Sequence, residues 1–273
     1  MSARRLIVNA DDLGLHPGIN AGIFRAHHEG IVTSASLCPN GAAFDDAVQG
    51  LRGAPRLDVG IHLTVVGSEV PLSPDLPTLA PGGRLPHTFA QLFRRLALGR
   101  VRREEIVAEM SAQVARALDA GLAVSHLDSH QHVHLHPTIL PLVLEVARRF
   151  RIGALRAARR VVPVRGMRAA LLGMLSWPAS ARSRAAGMRT PDTFVGADDS
   201  GRLDEARLTR LIADLRPGTS ELLCHPGQGT GEIAARYDDW GFRWDEEMQA
   251  LTSAAARGSL TRAGVTLTTY RDL

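Results

Sequence analysis

Short apolar runs alternate along this chain with longer stretches whose apolar residues have helical spacing. The apolar run 6–8 predicts a buried parallel strand, and further strands are predicted at 31–37, 57–64, 123–127, 221–224 and 265–270. Apolar residues three and four positions apart predict helices between these strands, at 18–29, 44–51, 104–120, 137–150, 203–215 and 246–256. Such an alternation is typical of an α/β protein with a parallel sheet.

The length of the chain favours one particular α/β architecture. A chain of 273 residues with this alternation predicts a single domain over residues 1–273, built as a β/α barrel of the TIM type, either complete or incomplete. In such barrels the functional groups gather at the carboxyl ends of the strands. A proline- and glycine-rich stretch at 67–88 predicts a long loop over one end of the barrel, and loops of this length are usually functional.

Composition and charge exclude several classes of protein. The net charge is +4, but all basic residues are arginine and aromatic residues make up only 4% of the chain, so no nucleic-acid partner is predicted. No run approaches the roughly 20 apolar residues that span a bilayer, and the first residues lack the pattern of a secretory leader. Two cysteines, Cys38 and Cys224, are expected to stay reduced. The expected location is the cytoplasm.

The stretch 156–190 combines many arginines with leucine, methionine and a tryptophan, Trp177. We interpret it as an inserted amphipathic segment. Two roles are open for it: a core helix or homodimer face with a solvated arginine side, or a surface that lies in a membrane interface. The second role would make the protein peripheral at the inner face of the membrane.

Two adjacent acids, Asp11 and Asp12, follow the first predicted strand. Neighbouring carboxylates repel each other unless a cation or a shared proton compensates. Because consecutive side chains diverge at the end of a strand, one acid could bind a metal while the other reaches its water. A helix-capping role for Asp12 is the structural alternative.

The densest chemical signal is the stretch 125–137, which holds five of the eleven histidines of the chain together with Asp128. Neutral imidazole is the commonest metal ligand of proteins, and a nearby carboxylate can fix its tautomer. A turn before Pro137 means that only one or two of these histidines can reach one metal. The pattern alone does not choose among His126, His130 and His132.

Two further predicted strands end in a histidine, at His62 and His225, and Asn40 follows the second strand. Four strand ends therefore present acidic or histidine side chains to one mouth: those with Asp11 and Asp12, with His62, with the stretch 125–137, and with His225. One aspartate and two histidines leave open positions on a divalent cation, which is the pattern of a catalytic rather than a structural site. A metal-lowered water pKa, a carboxylate base and a separate histidine acid together suit hydrolysis of an amide.

Five motifs occur in order along the chain: 8–14 (VNADDLG), 30–34 (GIVTS), 60–63 (GIHL), 126–134 (HLDSHQHVH) and 224–227 (CHPG). In these motifs the sequence resembles the YdjC-like carbohydrate deacetylases, and the basic segment resembles the hopanoid-associated HpnK branch. Leu13 departs from the family pattern, which has an aromatic residue there. The resemblance implies a β/α barrel of the polysaccharide-deacetylase type, one divalent metal ion, and removal of acetyl groups from an N-acetylglucosamine-type sugar.

The resemblance also implies roles for individual residues. Asp12, His62 and His130 would hold the metal, Asp11 would be the general base and His225 the general acid. Substrate-binding or supporting roles fall to the remaining candidates, which are Asn40, His126, Asp128 and His132. The implied substrate is an N-acetylated amino sugar or a glycolipid, in the HpnK branch an N-acetylglucosaminyl hopanoid.

Alternatives to this function are another metal-dependent amide or phosphoester hydrolase on the same barrel, and a non-catalytic sugar- or lipid-binding protein. Two histidines and a carboxylate suit Zn²⁺, while Mg²⁺ would take the same ligands with more waters. The sequence leaves the metal, the acetylated substrate and the oligomeric state open.

Overall fold

A computed structural model describes residues 3–157, 159–160 and 167–273, with side chains described except at 159–160 and 167–173. All of its named strands belong to one sheet. They are β1 (Arg4–Leu13), β2 (Ser34–Leu37), β3 (Asp58–Leu63), β4 (Val124–Ser129), β5 (Ala154–Leu155), β6 (Arg159–Arg160), β7 (Thr193–Val195), β8 (Gly218–Cys224) and β9 (Val265–Leu267).

Within the described residues, the sheet follows the strand order of a β/α barrel, and an isolated parallel bridge joins Ala154 of β5 to Arg189, ahead of β7. Its order is β5-β4-β3-β2-β1-β8-β7-β6, and all strand pairings among the described residues are parallel. Strand β9 pairs with the first residues of β1, beside the point where β2 pairs with its last residues. Over the described residues, β5 and β6 do not pair with each other, so the prediction of a parallel α/β barrel is confirmed in its incomplete form.

Helices connect most successive strands. They are α1 (Pro17–His28), α2 (Phe44–Arg52), α3 (Phe89–Ala97), α4 (Arg103–Asp119), α5 (Leu140–Arg149), α6 (Met167–Ala185), α7 (Glu205–Ala213), α8 (Thr230–Ala234), α9 (Trp244–Thr252) and α10 (Ala254–Ala263). Among the described residues, no helix is both long and apolar enough to cross a bilayer.

The core forms between this sheet and the helices, as the apolar pattern predicts. Central strands are buried along nearly their whole length, with Leu6, Val8 and Ile61 fully inaccessible. The helical spacing of Ile106, Val107, Met110, Val114 and Leu118 predicts the buried stripe of α4. Ile106, Met110 and Val114 are fully buried, whereas Leu118 near the end of the helix is 38% exposed, so the prediction is wrong for that residue. A parallel strand covered on both faces must be apolar on both faces, which is why short continuous apolar runs identify these strands.

Several predicted boundaries are wrong for local reasons. The helix predicted at 246–256 is two helices, because Ser253 adopts an extended conformation (φ −67°, ψ 152°) and its hydroxyl caps α10 at the backbone N–H of Ala256. The helix predicted to open at Pro137 begins only at Leu140, after a turn from His136. The last strand ends at Leu267 and gives way to a short 3₁₀ turn.

The proline-rich loop predicted at 67–88 is confirmed between β3 and α3. Two buried glutamates of α4 hold it in place by accepting hydrogen bonds from its backbone. Glu109 accepts from the N–H groups of Leu72 and Ser73, and Glu105 accepts from those of Thr78 and Leu79. The loop is therefore fixed to the barrel along much of its length.

The basic segment predicted at 156–190 lies only partly within the described residues, which omit 158 and 161–166. Helix α6 occupies its second half and packs against the residues that follow β4. On this helix Met174 is 73% exposed and Trp177 is 66% exposed, whereas Ala179 and Ser183 are buried. The helix thus has an outward apolar side and an inward side of small residues.

Helix α1 approaches the chain after β8 at backbone distance. A Cβ built on Gly22 would lie 2.2 Å from the Cα of Gly227, so only glycine fits at position 22. This close contact lies two residues beyond His225, and it helps to fix the end of β8 against α1. The packing of Gly22 against Gly227 therefore helps to hold His225 in position.

We predict that Gly22→Ala lowers the free energy of unfolding by about 2 kcal/mol, because the added methyl must displace backbone rather than a side chain. Chemical denaturation measures the change. The matched control is Gly231→Ala in α8, where an added Cβ has no neighbour within 4 Å. That helical alanine should be neutral or stabilising by up to about 1 kcal/mol. Equal unfolding free energies for the two variants would contradict the backbone contact.

Candidate active site

The paired acids Asp11 and Asp12 lie near the carboxyl end of β1, inside the mouth of the barrel. Asp11 and Asp12 are each 2% exposed, and Asp12 has a φ of 71°. A positive φ is uncommon for a residue with a side chain, although aspartate tolerates it better than most. The turn of the backbone at Asp12 sends the two carboxylates in different directions, as their proposed division of roles requires.

Asp12 is brought together with two histidines from other strands. Its Oδ1 lies 3.2 Å from Nδ1 of His130 and 3.5 Å from Nε2 of His62. One potential ligand atom of each of these three residues lies within 4.8 Å of the other two. The donor set is one carboxylate and two imidazoles, which suits a divalent cation with open positions. The three residues expected to hold a metal therefore converge.

A carboxylate behind His62 fixes the orientation of its ring. Asp128 Oδ1 lies 2.9 Å from Nδ1 of His62, which leaves Nε2 directed towards Asp12. Burial opposes protonation of this ring, but the carboxylates of Asp128 and Asp11 raise the pKa of His62 to about 9. The carboxylates of Asp11, Asp12 and Asp128 thus surround this ring with negative charge, which suits a cation bound beside it.

The electrostatics of Asp12 lead to the same conclusion. Burial alone would raise its pKa, yet the hydrogen bond and positive charge of His130, with a further contribution from His62, lower the pKa of Asp12 to about 2. The carboxylate is therefore ionised over the whole physiological range. An ionised oxygen flanked by two imidazoles fits a metal ligand better than the helix cap that the sequence left open.

Asp11 has a different partner, the buried guanidinium of Arg156. Nη1 of Arg156 lies 2.7 Å from Oδ2 of Asp11, and Nη2 lies 2.7 Å from Oδ1. The side chain of Asn9 also donates to Oδ1. A carboxylate oxygen has two lone pairs, so Oδ1 is fully used while Oδ2 keeps one for another donor. Asp11 thus has an acceptor site available in the mouth.

Arg156 also contacts two other carboxylates. Its Nη1 lies 2.7 Å from Oδ2 of Asp128, and its Nε donates to Glu221 Oε1 at 2.8 Å. Burial raises the pKa of Glu221 to about 7, against the opposing effects of Arg156 and of the Tyr270 hydroxyl that donates to Glu221. One guanidinium therefore holds together the carboxylates of three strands.

His225 completes the arrangement from the end of β8. Its Nε2 lies 4.0 Å from Oδ2 of Asp12, and its Nδ1 lies 3.3 Å from the hydroxyl of Ser200. Glu247 accepts a hydrogen bond from its backbone N–H at 2.6 Å. Burial lowers the pKa of His225, so its ring releases a proton readily once charged. A histidine in this position can serve as a proton donor at the site.

The remaining histidines of the stretch 125–137 separate into different environments. His132 adopts a φ of 55° and lines the mouth beside His130. His126 lies fully buried below the mouth, with its ring stacked on Tyr270 at 3.7 Å, and burial lowers its pKa to about 4. His134 is also fully buried, 2.6 Å from the backbone oxygen of Arg156. Only His130 of this stretch lies within reach of Asp12 in the cluster.

Asn40 and Asp128 occupy supporting positions. Asn40 is buried beyond the end of β2, and within the described residues its side-chain atoms have no hydrogen-bond partner. It is not among the residues that line the mouth. Asp128 is fully buried and contacts His62 and Arg156, so it acts behind the site rather than in it.

The mouth is a cavity of about 280 Å³. Asp11, Asp12, His62, His130 and His225 all line it. Its outer wall comes from the start of α3 with the residues before it and from the segment before α9. The wall is formed by His87, Phe89, Asp239, Trp240 and Phe242. A cavity that combines convergent polar groups with an aromatic wall is typical of a small-molecule site.

Sequence reasoning missed Arg156, Glu221 and Trp240. Arg156 was assigned to the amphipathic segment 156–190, and this assignment is wrong for that residue, because Arg156 is 2% exposed. It follows the two-residue strand β5, which is too short to give a periodic signal. Glu221 lies within β8, directly before its apolar run. A charged residue in an otherwise buried strand indicates a buried polar partner, so the sequence did contain a signal for Glu221.

Comparison with known proteins agrees with this geometry. Residues 5–262 match the family described as YdjC-like protein. A chitooligosaccharide deacetylase of Klebsiella pneumoniae (strain 342) is 38% identical over 276 residues, which cover 99% of this chain and 99% of that protein. A carbohydrate deacetylase of Geobacillus stearothermophilus is 33% identical over 271 residues, 98% of each chain.

A solved structure has the same fold over its full length. The crystal structure of an Enterococcus faecalis V583 protein named for cellobiose-phosphate cleavage superposes with a TM-score of 0.80 at 25% identity, covering 99% of both chains. The sequence match extends through the strands that carry the cluster, from β1 to β8. The chain therefore belongs to the YdjC-like family.

Proposed function

We propose that this protein is a carbohydrate N-deacetylase that hydrolyses the acetamide of an N-acetylglucosamine-type sugar. The observation that carries the proposal is the convergence of Asp12, His62 and His130 beside Asp11 and His225 in one cavity. Relatives that match nearly the whole chain are named carbohydrate and chitooligosaccharide deacetylases, which supports this reaction over a phosphoester hydrolysis or a binding role.

Asp12, His62 and His130 would hold one divalent cation, Zn²⁺ or Mg²⁺. When bound, such an ion supplies a water of lowered pKa and an electrophilic partner for the acetyl oxygen. The residues of the chain supply the proton transfers. Asp11 accepts the proton of the attacking water on Oδ2, whose remaining lone pair is free of Arg156 and Asn9.

His225 acts at the other end of the scissile bond. Its Nδ1 faces the Ser200 hydroxyl, and Nε2 faces the cluster. Once protonated, Nε2 donates its proton to the sugar nitrogen as the C–N bond breaks, so that a neutral amine leaves with acetate as the other product. Burial of both groups in the mouth keeps bulk water from competing for these protons.

Paired variants at the two adjacent acids test the division of roles. Asp11→Asn should lower kcat by about 100-fold to 10,000-fold, the range for loss of general base catalysis, and should keep the metal. Asp12→Ala should lose both metal and activity. The assays are acetate release from an N-acetylated chitooligosaccharide and metal content by elemental analysis after dialysis.

The control is Asp45→Asn on α2, a surface aspartate with 94% side-chain exposure, which should behave like the wild type. Full activity of Asp11→Asn would remove Asp11 as the base, and unchanged metal content of Asp12→Ala would remove the ligand set. A wild type that cleaves a panel of phosphoesters and releases no acetate would contradict the deacetylase proposal.

Trp240 provides an aromatic surface for the sugar ring. Its ring lines the cavity 5.2 Å from that of His130, Tyr237 packs against it at 4.5 Å, and Phe242, which also lines the cavity, lies at 5.4 Å. An indole positioned by two aromatic neighbours at the wall of a polar site offers a flat apolar surface to a sugar face. The residue should contribute binding rather than chemistry.

We therefore expect Trp240→Ala to raise KM by about tenfold, equivalent to about 1.4 kcal/mol, with kcat changed far less. Steady-state kinetics of acetate release with a soluble oligosaccharide measure both parameters. Trp177→Ala is the matched control, because Trp177 lies on α6 and is not among the residues that line the cavity. A drop in kcat at constant KM would contradict a binding role.

A lipid-linked substrate, such as the N-acetylglucosaminyl hopanoid of the HpnK branch, is the finer part of this proposal. Its support is the outward side of α6, where Met174 and Trp177 are exposed three residues apart. The sequence between Glu145 and Asp192 contains no acidic residue and many arginines. Exposed apolar side chains within a positive segment suit an anionic lipid surface.

Co-sedimentation with vesicles tests the lipid surface. The wild type should pellet with anionic phospholipid vesicles and less with zwitterionic ones, because arginine attraction needs negative lipid. The double variant Met174→Ser and Trp177→Ser should pellet severalfold less. Trp240→Ala should pellet like the wild type, as the reciprocal control. Equal pelleting of the double variant and the wild type would contradict membrane contact.

A further inference from the structure

The guanidinium of Arg156, which binds Asp11, is itself bound by a second buried carboxylate, that of Glu221. Glu221 accepts from Nε of Arg156 at 2.8 Å, on the edge opposite the two terminal nitrogens' contacts with Asp11. Glu221 is fully buried and pairs in register with Ile7 of β1, four residues before the base. It therefore lies deeper in the barrel than the cavity and touches none of the residues assigned to the metal.

A second residue fixes Glu221 in turn. The hydroxyl of Tyr270 donates to Oε2 of Glu221, so each oxygen of this carboxylate has a donor. The Tyr270 ring stacks on His126 with the planes 10° apart, and its backbone N–H donates to Asp58 at 3.0 Å. A continuous chain of contacts thus runs from the floor of the barrel through Glu221 and Arg156 to Asp11.

The geometry of a guanidinium makes the contact at Nε decisive. The group is planar, with its five N–H donors in fixed directions, so a partner at Nε fixes the rotation of the plane. That plane sets which way the two terminal nitrogens point. They bind both oxygens of Asp11, and the lone pair left on Oδ2 is the one available to water.

Charge balance alone does not explain the third carboxylate. Asp11 and Asp128 already give the single positive charge of Arg156 two buried negative partners. A further buried carboxylate adds desolvation cost and like-charge repulsion. Glu221 is therefore not needed to neutralise Arg156, and what it provides is an acceptor oxygen that fixes the direction of Nε.

We propose that Glu221 is a positioning residue of the reaction, which orients Arg156 so that Asp11 presents its free lone pair to the cavity, and that Tyr270 fixes Glu221 for this purpose. The inference rests on the proposed deacetylase function. It concerns the rate of the chemical step, since neither residue touches the cavity or the metal ligands.

Kinetics of Glu221 variants test the proposal. Glu221→Leu, which removes the acceptor for Nε, should lower kcat by about 10-fold to 100-fold, the range for loss of a supporting residue, with KM and metal content close to wild type. Glu221→Gln keeps an oxygen for Nε and should recover most of the lost kcat. Tyr270→Phe, which removes only a hydroxyl, should lower kcat in the same direction by a smaller factor.

A purely structural role gives different results. It predicts lower thermal stability with unchanged kcat per folded, metal-loaded molecule. The matched control is Glu105→Gln, another buried glutamate, which binds the backbone of the 67–88 loop and the side chain of Arg102. It should lose stability and keep its kcat.

Wild-type kcat in both Glu221→Leu and Tyr270→Phe would overturn the inference, and so would failure of Glu221→Gln to exceed Glu221→Leu. If Glu221→Leu does not fold, the kcat of Tyr270→Phe alone tests the inference, and a wild-type value overturns it. A wild type without deacetylase activity would overturn the proposed function and this inference with it, and that result is distinct from an active wild type with unaffected variants.

Discussion

Two adjacent carboxylates buried at the end of one strand are the constraint on which this structure depends. Asp11 and Asp12 repel each other and are each removed from solvent, so each needs its own compensation. The fold provides it from opposite sides: a guanidinium from the end of β5 binds Asp11, and imidazoles from β3 and from the turn after β4 surround Asp12. The same separation gives the two acids different surroundings.

The incomplete barrel makes this separation possible. Parallel strands bring their carboxyl ends to one mouth, so residues far apart in sequence meet there without long connections. Arg156 follows β5, at one edge of the sheet, yet it reaches β1 and β8 in the interior. Its three carboxylate partners tie that edge to the centre. The ion pairs that surround Asp11 therefore also hold the end of β5 against the central strands.

Sequence reasoning recovered the parts of this arrangement that depend on strand ends. Asp11, Asp12, His62 and His225 each follow an apolar run long enough to identify, and the parallel-sheet rule then places them together. It could not choose His130 among its neighbours without the family resemblance, because the choice depends on a reversal of the backbone at Gln131 and His132, both with positive φ. Arg156 escaped notice because a two-residue strand carries no periodicity. Long-range pairing of buried charges leaves no local pattern.

The contact between Gly60 and His126 links two neighbouring strands in another way. The His126 ring fills the volume in which a Cβ on Gly60 would lie, with ring atoms 2.3 to 2.5 Å from that position. Position 60 therefore admits no side chain while residue 126 remains a histidine. Any descendant of this chain that gains a side chain on β3 at this point must first acquire a smaller residue at position 126 on β4, so the packing of one buried ring fixes the order in which the two substitutions can occur.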